Sequence, residues 1–287
     1  MPSRSVAERG ALGVRGPAIA WGERTFVMAI VNVTPDSFSG DGATDARVAV
    51  AHALEQWELG ADLLDVGGES TRPGHEPVDA ATETARVVPV IRELRARLPD
   101  APISIDTYKP QVARAAHAAG ADLINSVWGA PDDLIAVAVE LGMPLAAMHN
   151  ARSSEYEGGV VEAVLRSLDE AARRAVRRGL APERILLDPG IGFGKTAEQN
   201  VEVLGQLHRI AALGFPTLLG ASRKSTLGKL AGRERPQDRV FAGVATTALA
   251  VAAGFDVVRV HDVAAARDAV AVADAVVRGW RPAGWIG

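Results

Sequence analysis

With 287 residues, 48% of them hydrophobic, and a formal net charge of -4, the chain can bury one large core and lacks the positive charge that general nucleic-acid binding demands. It contains no cysteine, which excludes disulfides, thiolate metal sites and a cysteine nucleophile. No apolar run follows Arg4 and Arg9, so no secretory signal is read there, and no stretch reaches the roughly 18 unbroken apolar residues of a membrane span; a soluble cytoplasmic protein with no membrane partner is expected.

Residues 1–17 are polar and rich in Gly and Pro, and read as a loose tail ahead of a single domain over 18–287. Ala18 to Trp21, then Gly22-Glu23-Arg24, then Thr25-Phe26 read as a short hairpin. Short β-branched runs follow at Phe26–Val31, Asp62–Val66, Pro102–Ile105, Asp122–Ile124, Pro144–Met148, Ile185–Leu187, Pro216–Leu219 and Asp256–Val260. Each precedes a loop and an Ala-rich stretch of helical period, as at Ala46–Leu59, Ala80–Leu98, Pro110–Ala119 and Val160–Arg178. Gly60-Ala61-Asp62, Gly120-Ala121-Asp122 and Gly254-Phe255-Asp256 repeat one pattern, with a glycine suited to closing the preceding helix. Eight strand–helix units without a break in composition predict an α/β chain folded as a (β/α)8 TIM barrel headed by the short hairpin. A doubly wound open sheet usually has fewer strands.

The chemistry-bearing residues collect just after the strands, which in such a barrel all meet at one face. They are Asn32, Glu69 to Arg72, Asp106, Asn125, Met148-His149-Asn150, Asp188, Ser222 to Ser225, and Arg259 to Asp262. A single strand-end Asp is as readily a helix cap, but polar residues at all eight ends are not needed for stability. Arg72, Lys224, Arg259 and His261 form a donor-rich cationic group suited to phosphate oxygens. Arg259 and His261 alternate with Val258 and Val260 on one side of a strand, and a helix over Ala264–Ala275 brings its N-terminus next to them. Asp106, Asn125 and Asp188, with Lys224, offer both hydrogen-bond senses to a flat heterocycle.

Gly190-Ile191-Gly192-Phe193-Gly194-Lys195-Thr196 ends like a phosphate-binding P-loop, but Pro189 stands where that motif needs a glycine, and Lys195 takes the last glycine place of the dinucleotide pattern. These glycines instead predict a tight turn that presents Phe193.

Asn32-Val33-Thr34-Pro35-Asp36-Ser37-Phe38-Ser39 resembles the first signature of the dihydropteroate synthases, and Asp65-Val66-Gly67-Gly68-Glu69-Ser70-Thr71-Arg72-Pro73-Gly74 the second. Ser104 to Thr107, Leu187 to Lys195, Gly220 to Ser225 and Arg259 to Asp262 match further motifs in the family's order, from about residue 23 to about 265. The resemblance implies a barrel, usually homodimeric, that joins (7,8-dihydropterin-6-yl)methyl diphosphate to p-aminobenzoate with help from Mg2+ in folate biosynthesis. It implies that Asp106, Asn125, Met148, Asp188, Lys224 and Arg259 hold the pterin. Asn32, Thr71, Arg72, Arg259 and His261 would meet the diphosphate, with the metal at Asn32. Phe38, Thr71, Pro73, Phe193, Lys224 and Ser225 would surround p-aminobenzoate, and Asp106, Lys224, Arg72 and Asp188 would carry the catalysis.

Two positions depart from the family pattern: Ser126 replaces the usual Asp after Asn125, and Ser39-Gly40-Asp41-Gly42 is a residue longer than in many members. The rival readings are a pterin-binding methyltransferase, an inactive pterin-binding paralogue, and a metal-dependent hydrolase or aldolase. The methyltransferase has no need of Thr71-Arg72-Pro73 or of the paired Arg259 and His261. The hydrolase or aldolase would need clustered ligands, yet of six histidines only His149 and His261 sit at strand ends. The long loops Asn32–Thr44 and Gly67–Pro77, rich in Gly and Ser, are expected to close over bound substrate.

Overall fold

A computed structural model of the chain describes residues 10–33, 42–70 and 77–285, with the backbone alone for residues 42–45. The elements run β1 (Ala11–Leu12), β2 (Ile19–Ala20), β3 (Phe26–Asn32), α1 (Gly42–Glu58), β4 (Leu63–Gly67), α2 (Ala80–Arg97), β5 (Ile103–Asp106), α3 (Pro110–Ala119), β6 (Leu123–Ser126) and α4 (Asp132–Leu141). They continue with β7 (Leu145–Met148), α5 (Val160–Arg177), β8 (Ile185–Asp188), α6 (Ala197–Gly205), α7 (Leu207–Ala211), β9 (Leu218–Leu219), α8 (Ser225–Ala231), α9 (Val240–Ala252), β10 (Val257–Val260) and α10 (Val263–Val277). Strands β3 to β10 form one parallel sheet in the order β8-β7-β6-β5-β4-β3-β10-β9, and a parallel bridge between Leu187 and Thr217 closes it into a barrel.

Strand alternation sorts the core into two bodies. Val27, Ala29, Val31, Leu64, Val66, Ile103, Ile105, Ile124, Leu187 and Val258 point outward against the helices. On α2, for example, Val87, Val90, Ile91 and Leu94 repeat at helical spacing and are buried there, and the Asp79 side chain caps the helix by accepting from Thr82 N. Met28, Leu63, Leu123, Ala146, Leu186, Leu218 and Val257 point inward and fill the lower half of the barrel.

The Gly-X-Asp repeat has a structural meaning. Gly120 ends α3 in the left-handed conformation (φ 117°), and two residues later Asp122 accepts from the backbone N–H of Ile103 at 3.0 Å. Asp62 does the same for Val27 (2.8 Å) and Asp256 for Thr217 (2.9 Å). In each case the acid satisfies a backbone donor at the lower edge of a neighbouring strand.

The hairpin lies elsewhere than the sequence suggests. Phe26 is committed to the barrel: its N–H donates to Asp256 O at 2.8 Å, and it lies in register with Val257. It cannot also pair with Ala18–Trp21. Ile19–Ala20 pairs instead with Ala11–Leu12, antiparallel, so ordered structure begins inside the segment read as a loose tail. Leu12, Ile19 and Trp21 are buried with the lower barrel residues, and the Trp21 indole donates to Glu183 O at 2.9 Å. The hairpin therefore plugs the lower end and leaves the C-terminal end of the strands for the site.

Candidate active site

Above the apolar lower layer, the next inward positions turn polar. On β4 the inward residues are Leu63, then Asp65, then Gly67; on β10 they are Val257, then Arg259. Asn125, Met148 and Asp188 hold the corresponding upper positions on β6, β7 and β8, and Asp106 ends β5. All of these acids and amides are buried or nearly so, with Asp65 fully enclosed. A carboxylate buried this way must be paired. Asp65 Oδ2 accepts from Arg259 Nε at 2.6 Å and from Asn125 Nδ2 at 3.0 Å, and Arg259 Nη2 donates to Asp106 Oδ2 at 2.8 Å.

Glycines keep the space between these groups open. A Cβ on Gly67 would lie 3.4 Å from the Asp106 Cβ, and one on Gly220 would lie 3.4 Å from Asp188 Oδ2.

Charge in this enclosure is strongly perturbed. Burial pushes Asp106 up to about 7 against the pull of Arg259, and the neighbouring Asp65 charge adds to the rise. Burial likewise pushes Asp188 up to about 6, opposed by the hydrogen bond from Gly190 N (2.7 Å) and by the nearby Lys224 and Arg259 charges. Burial and the Arg259 charge lower Lys224 to about 8. Burial also works against Arg259, but Asp65 and Asp106 outweigh it and hold the guanidinium above its usual range.

The second wall is the turn after β8. Gly190 adopts φ 67°, and a Cβ there would fall 1.9 Å from His149 O, so only glycine fits. Lys195 folds back into this turn. Its Nζ donates to Gly190 O (3.0 Å) and Phe193 O (3.1 Å) and lies 2.8 Å from His149 Nδ1, which must be the acceptor from an ammonium. Burial lowers Lys195 to about 7, and burial together with the Lys195 charge lowers His149 to about 4, leaving that imidazole neutral. This lysine is spent on its own turn and does not act as the phosphate lysine of a P-loop. Asn200 on α6 ties the turn down by accepting from Gly192 N at 2.7 Å. The result is that Phe193 meets Lys224, whose Nζ stands 3.7 Å over the ring.

Lys224 comes from the loop after β9. Arg223, beside it, is the described non-glycine residue with positive φ (58°). Its strain is held by a bidentate pair with Asp262 (3.1 and 2.5 Å) and by Arg239 Nη1 donating to its carbonyl at 2.7 Å. Ser222 Oγ lies 3.0 Å from His261 Nδ1 and accepts from His261 N at 3.1 Å.

The structure thus brings Asp106, Asn125, Asp188, Lys224, Arg259 and Phe193 into one site, with Met148 on an adjoining strand. It joins Arg259 to Asp65 and Asp106. Ser225 is exposed at the start of α8, and Asn32 is half-buried at the end of β3. Phe38, Asp41, Thr71, Arg72 and Pro73 lie outside the described residues, as does most of both loops expected to close. Ser126 follows Asn125 by one residue and shares the helix-facing side with Ile124, so that departure does not alter the inward set. Sequence reasoning missed Asp65 as a site residue; the signal was an acid in the inward row between Leu63 and Gly67.

The chain is similar to known proteins over most of its length. A family model described as pterin binding enzyme matches residues 28–261, from the first barrel strand to the histidine after the last. A curated dihydropteroate synthase of Clostridium beijerinckii is 47% identical over 261 residues, covering 90% of this chain and 96% of the relative. A solved structure of Xanthomonas albilineans dihydropteroate synthase with 4-aminobenzoic acid superposes with a TM-score of 0.85 at 47% identity, over 89% of this chain and 94% of that one. Another, in complex with 7,8-dihydropteroate, gives a TM-score of 0.82 at 45% identity, again over 89% and 94%. Identity of this extent, spanning every strand that supplies a site residue, makes the chain a member of the dihydropteroate synthase family of pterin-binding transferases.

Proposed function

We propose that the C-terminal face of this barrel condenses (7,8-dihydropterin-6-yl)methyl diphosphate with p-aminobenzoate, giving 7,8-dihydropteroate and diphosphate, a step in folate biosynthesis. The observation that carries this reading is the set Asp106, Asn125, Asp188, Lys224 and Arg259, with Asn125 and Asp188 buried and the other three half-buried, which offers donors and acceptors together in one place. A flat ring edged with amide and amino groups needs that mixture. The X. albilineans complexes, one with the substrate 4-aminobenzoic acid and one with the product 7,8-dihydropteroate, support the same reaction here.

Asp106, Asn125, Asp188 and Lys224 read the pterin edges, Met148 packs on it, and Arg259 lies along the ring. Cleavage of the bond from the methylene carbon to the diphosphate oxygen sends its electron pair with the diphosphate and leaves positive charge spread into the ring. The Asp106 and Asp188 carboxylates oppose that charge from fixed positions. The p-aminobenzoate nitrogen then bonds to the methylene carbon and loses its proton. Phe193, with Lys224 above its ring, forms the described wall of the p-aminobenzoate pocket; Ser225, Phe38, Thr71 and Pro73 complete it. Arg72, Thr71, Asn32 and His261 take the diphosphate. Sulfonamides share the aniline of p-aminobenzoate and compete with it in this pocket.

Among the described residues no three His, Asp or Glu side chains cluster to cage a metal. The oxygen of Asn32 fits a Mg2+ ion that keeps waters and substrate phosphate oxygens as its other ligands. When bound, that ion neutralises charge on the departing diphosphate. Homodimer formation is part of the same reading. α9 contains no charged residue and exposes Phe241 (85%) and Leu249 (57%), and α10 exposes Val272 and Val276, an apolar face suited to a second copy.

Turnover tests the reaction. The protein incubated with the pterin diphosphate, labelled p-aminobenzoate and Mg2+ should form labelled dihydropteroate and release diphosphate in equal amounts. Binding of the pterin without product would instead mark an inactive paralogue.

A further inference from the structure

Asp65 sits in the middle of β4, facing inward, with no exposure to solvent. Neither strand formation nor core packing asks for a carboxylate there, and burying one is costly. What it does is visible in its contacts. One oxygen, Oδ2, accepts from β10 through Arg259 Nε (2.6 Å) and from β6 through Asn125 Nδ2 (3.0 Å).

These two contacts fix what the neighbours present. An amide facing a carboxylate must turn its NH2 toward it, so Asp65 dictates the orientation of Asn125 and leaves Oδ1 as the acceptor for a ligand. Arg259 is held by two carboxylates on adjacent strands, Asp65 through Nε and Asp106 through Nη2, which fixes the plane of the guanidinium as well as its position.

We propose that Asp65 is a positioning residue for pterin recognition: it sets the donor–acceptor sense of Asn125 and the plane of Arg259 without touching the pterin itself. This rests on the proposed assignment of Asn125 and Arg259 to the pterin. The two readings separate experimentally, since turnover of the wild-type protein tests the reaction and pterin affinity tests Asp65.

The variant is Asp65→Asn, which keeps size and shape but loses the charge and one acceptor-only oxygen. Its affinity for (7,8-dihydropterin-6-yl)methyl diphosphate, measured by calorimetry on folded protein, is expected to fall about 10- to 100-fold. In turnover assays the KM for the pterin diphosphate should rise, while the KM for p-aminobenzoate at saturating pterin stays within about twofold.

A second readout is one that a merely structural role would not move. Asp106 is faced by Arg259 from β10, Asp65 from β4, Glu83 from α2 and Lys224 from the loop after β9. Removing the Asp65 charge relieves repulsion on Asp106 and leaves it the undivided partner of Arg259, so the acid limb of the pH profile should move to lower pH. If Asp65→Asn folds poorly, Asp65→Asn combined with Arg259→Met removes both halves of the buried pair; it should bind pterin more weakly than Arg259→Met alone, because Asn125 loses its orienting acceptor, but by less than the product of two independent losses. Unchanged pterin affinity in Asp65→Asn with an unmoved pH profile would overturn the proposal. So would a double variant whose pterin affinity is reduced by the full product of the two single losses.

Discussion

Replacing Asp106 by Asn keeps the shape of the site and removes a charge that the proposed mechanism uses. A unit negative charge about 4 Å from a developing cation is worth about 4 kcal/mol at an effective dielectric of about 20. That corresponds to about a thousandfold in rate. The Arg259 guanidinium, 2.8 Å from Asp106 Oδ2, cancels part of this, so a loss of about a hundredfold in kcat/KM is expected. The loss must also depend on pH. With Asp106 raised to about 7 by burial, most molecules carry it protonated at pH 6 and ionised at pH 8. The profile of kcat/KM reports groups of the free enzyme, so with about a tenth of Asp106 ionised at pH 6 the wild type should exceed Asp106→Asn by about tenfold there and by close to a hundredfold at pH 8. Initial rates of dihydropteroate formation at pH 6, 7 and 8 provide the assay. A wild-type to variant ratio that stays constant across this range, or a near-normal rate for folded Asp106→Asn at pH 8, would refute the assignment.

Asp188 bears on stability: its folded-state value, about 6, lies above its ordinary 3.8, so the native state holds a proton longer than the unfolded chain and loses stability as pH rises from about 4 to about 6. Asp188→Asn lacks that loss and should gain on the order of 1–3 kcal/mol relative to wild type at pH 8, a gain that vanishes near pH 4 in denaturant melts. Gly190→Ala places a methyl 1.9 Å from His149 O and should lower Tm by more than about 10 °C, whereas Gly142→Ala, also at positive φ but with nothing within 4 Å, should cost only about 1–2 kcal/mol, about 2–8 °C. Phe241→Glu should convert the proposed dimer to monomer in light scattering while the barrel's circular dichroism is retained; a dimer that survives it would move the interface elsewhere.

The eight barrel strands were legible because each is a short β-branched or aliphatic run that ends in a polar loop, although β7 (Leu145–Met148) and β9 (Leu218–Leu219) contain no β-branched residue. Val27 to Val31 and Leu64 to Val66 could be read to within a residue or two. The hairpin was not, because Gly22-Glu23-Arg24 has the composition of a turn. What decides the pairing is that Phe26 is held by Asp256, 230 positions away. Ala11–Leu12, within a Gly-rich stretch, gives no local strand signal; Leu12 is ordered because it fills the bottom of the barrel. For the site, the strand-end residues announced themselves by being polar where the barrel needs nothing polar. Asp65 lay in plain view within a motif, but its role depends on Arg259, 194 positions along the chain. The same holds for Lys195, whose sequence context suggests a phosphate and whose actual partners are two carbonyls and an imidazole around its own turn.

A crystal structure of this protein with the pterin diphosphate bound tests the central claim most directly. The account predicts the pterin ring within hydrogen-bonding distance of Asp106, Asn125, Asp188 and Lys224, with Arg259 along its face and its methylene group directed toward Phe193. A pterin bound elsewhere on the barrel, or one that leaves Asp106 and Asp188 without contact, would contradict it.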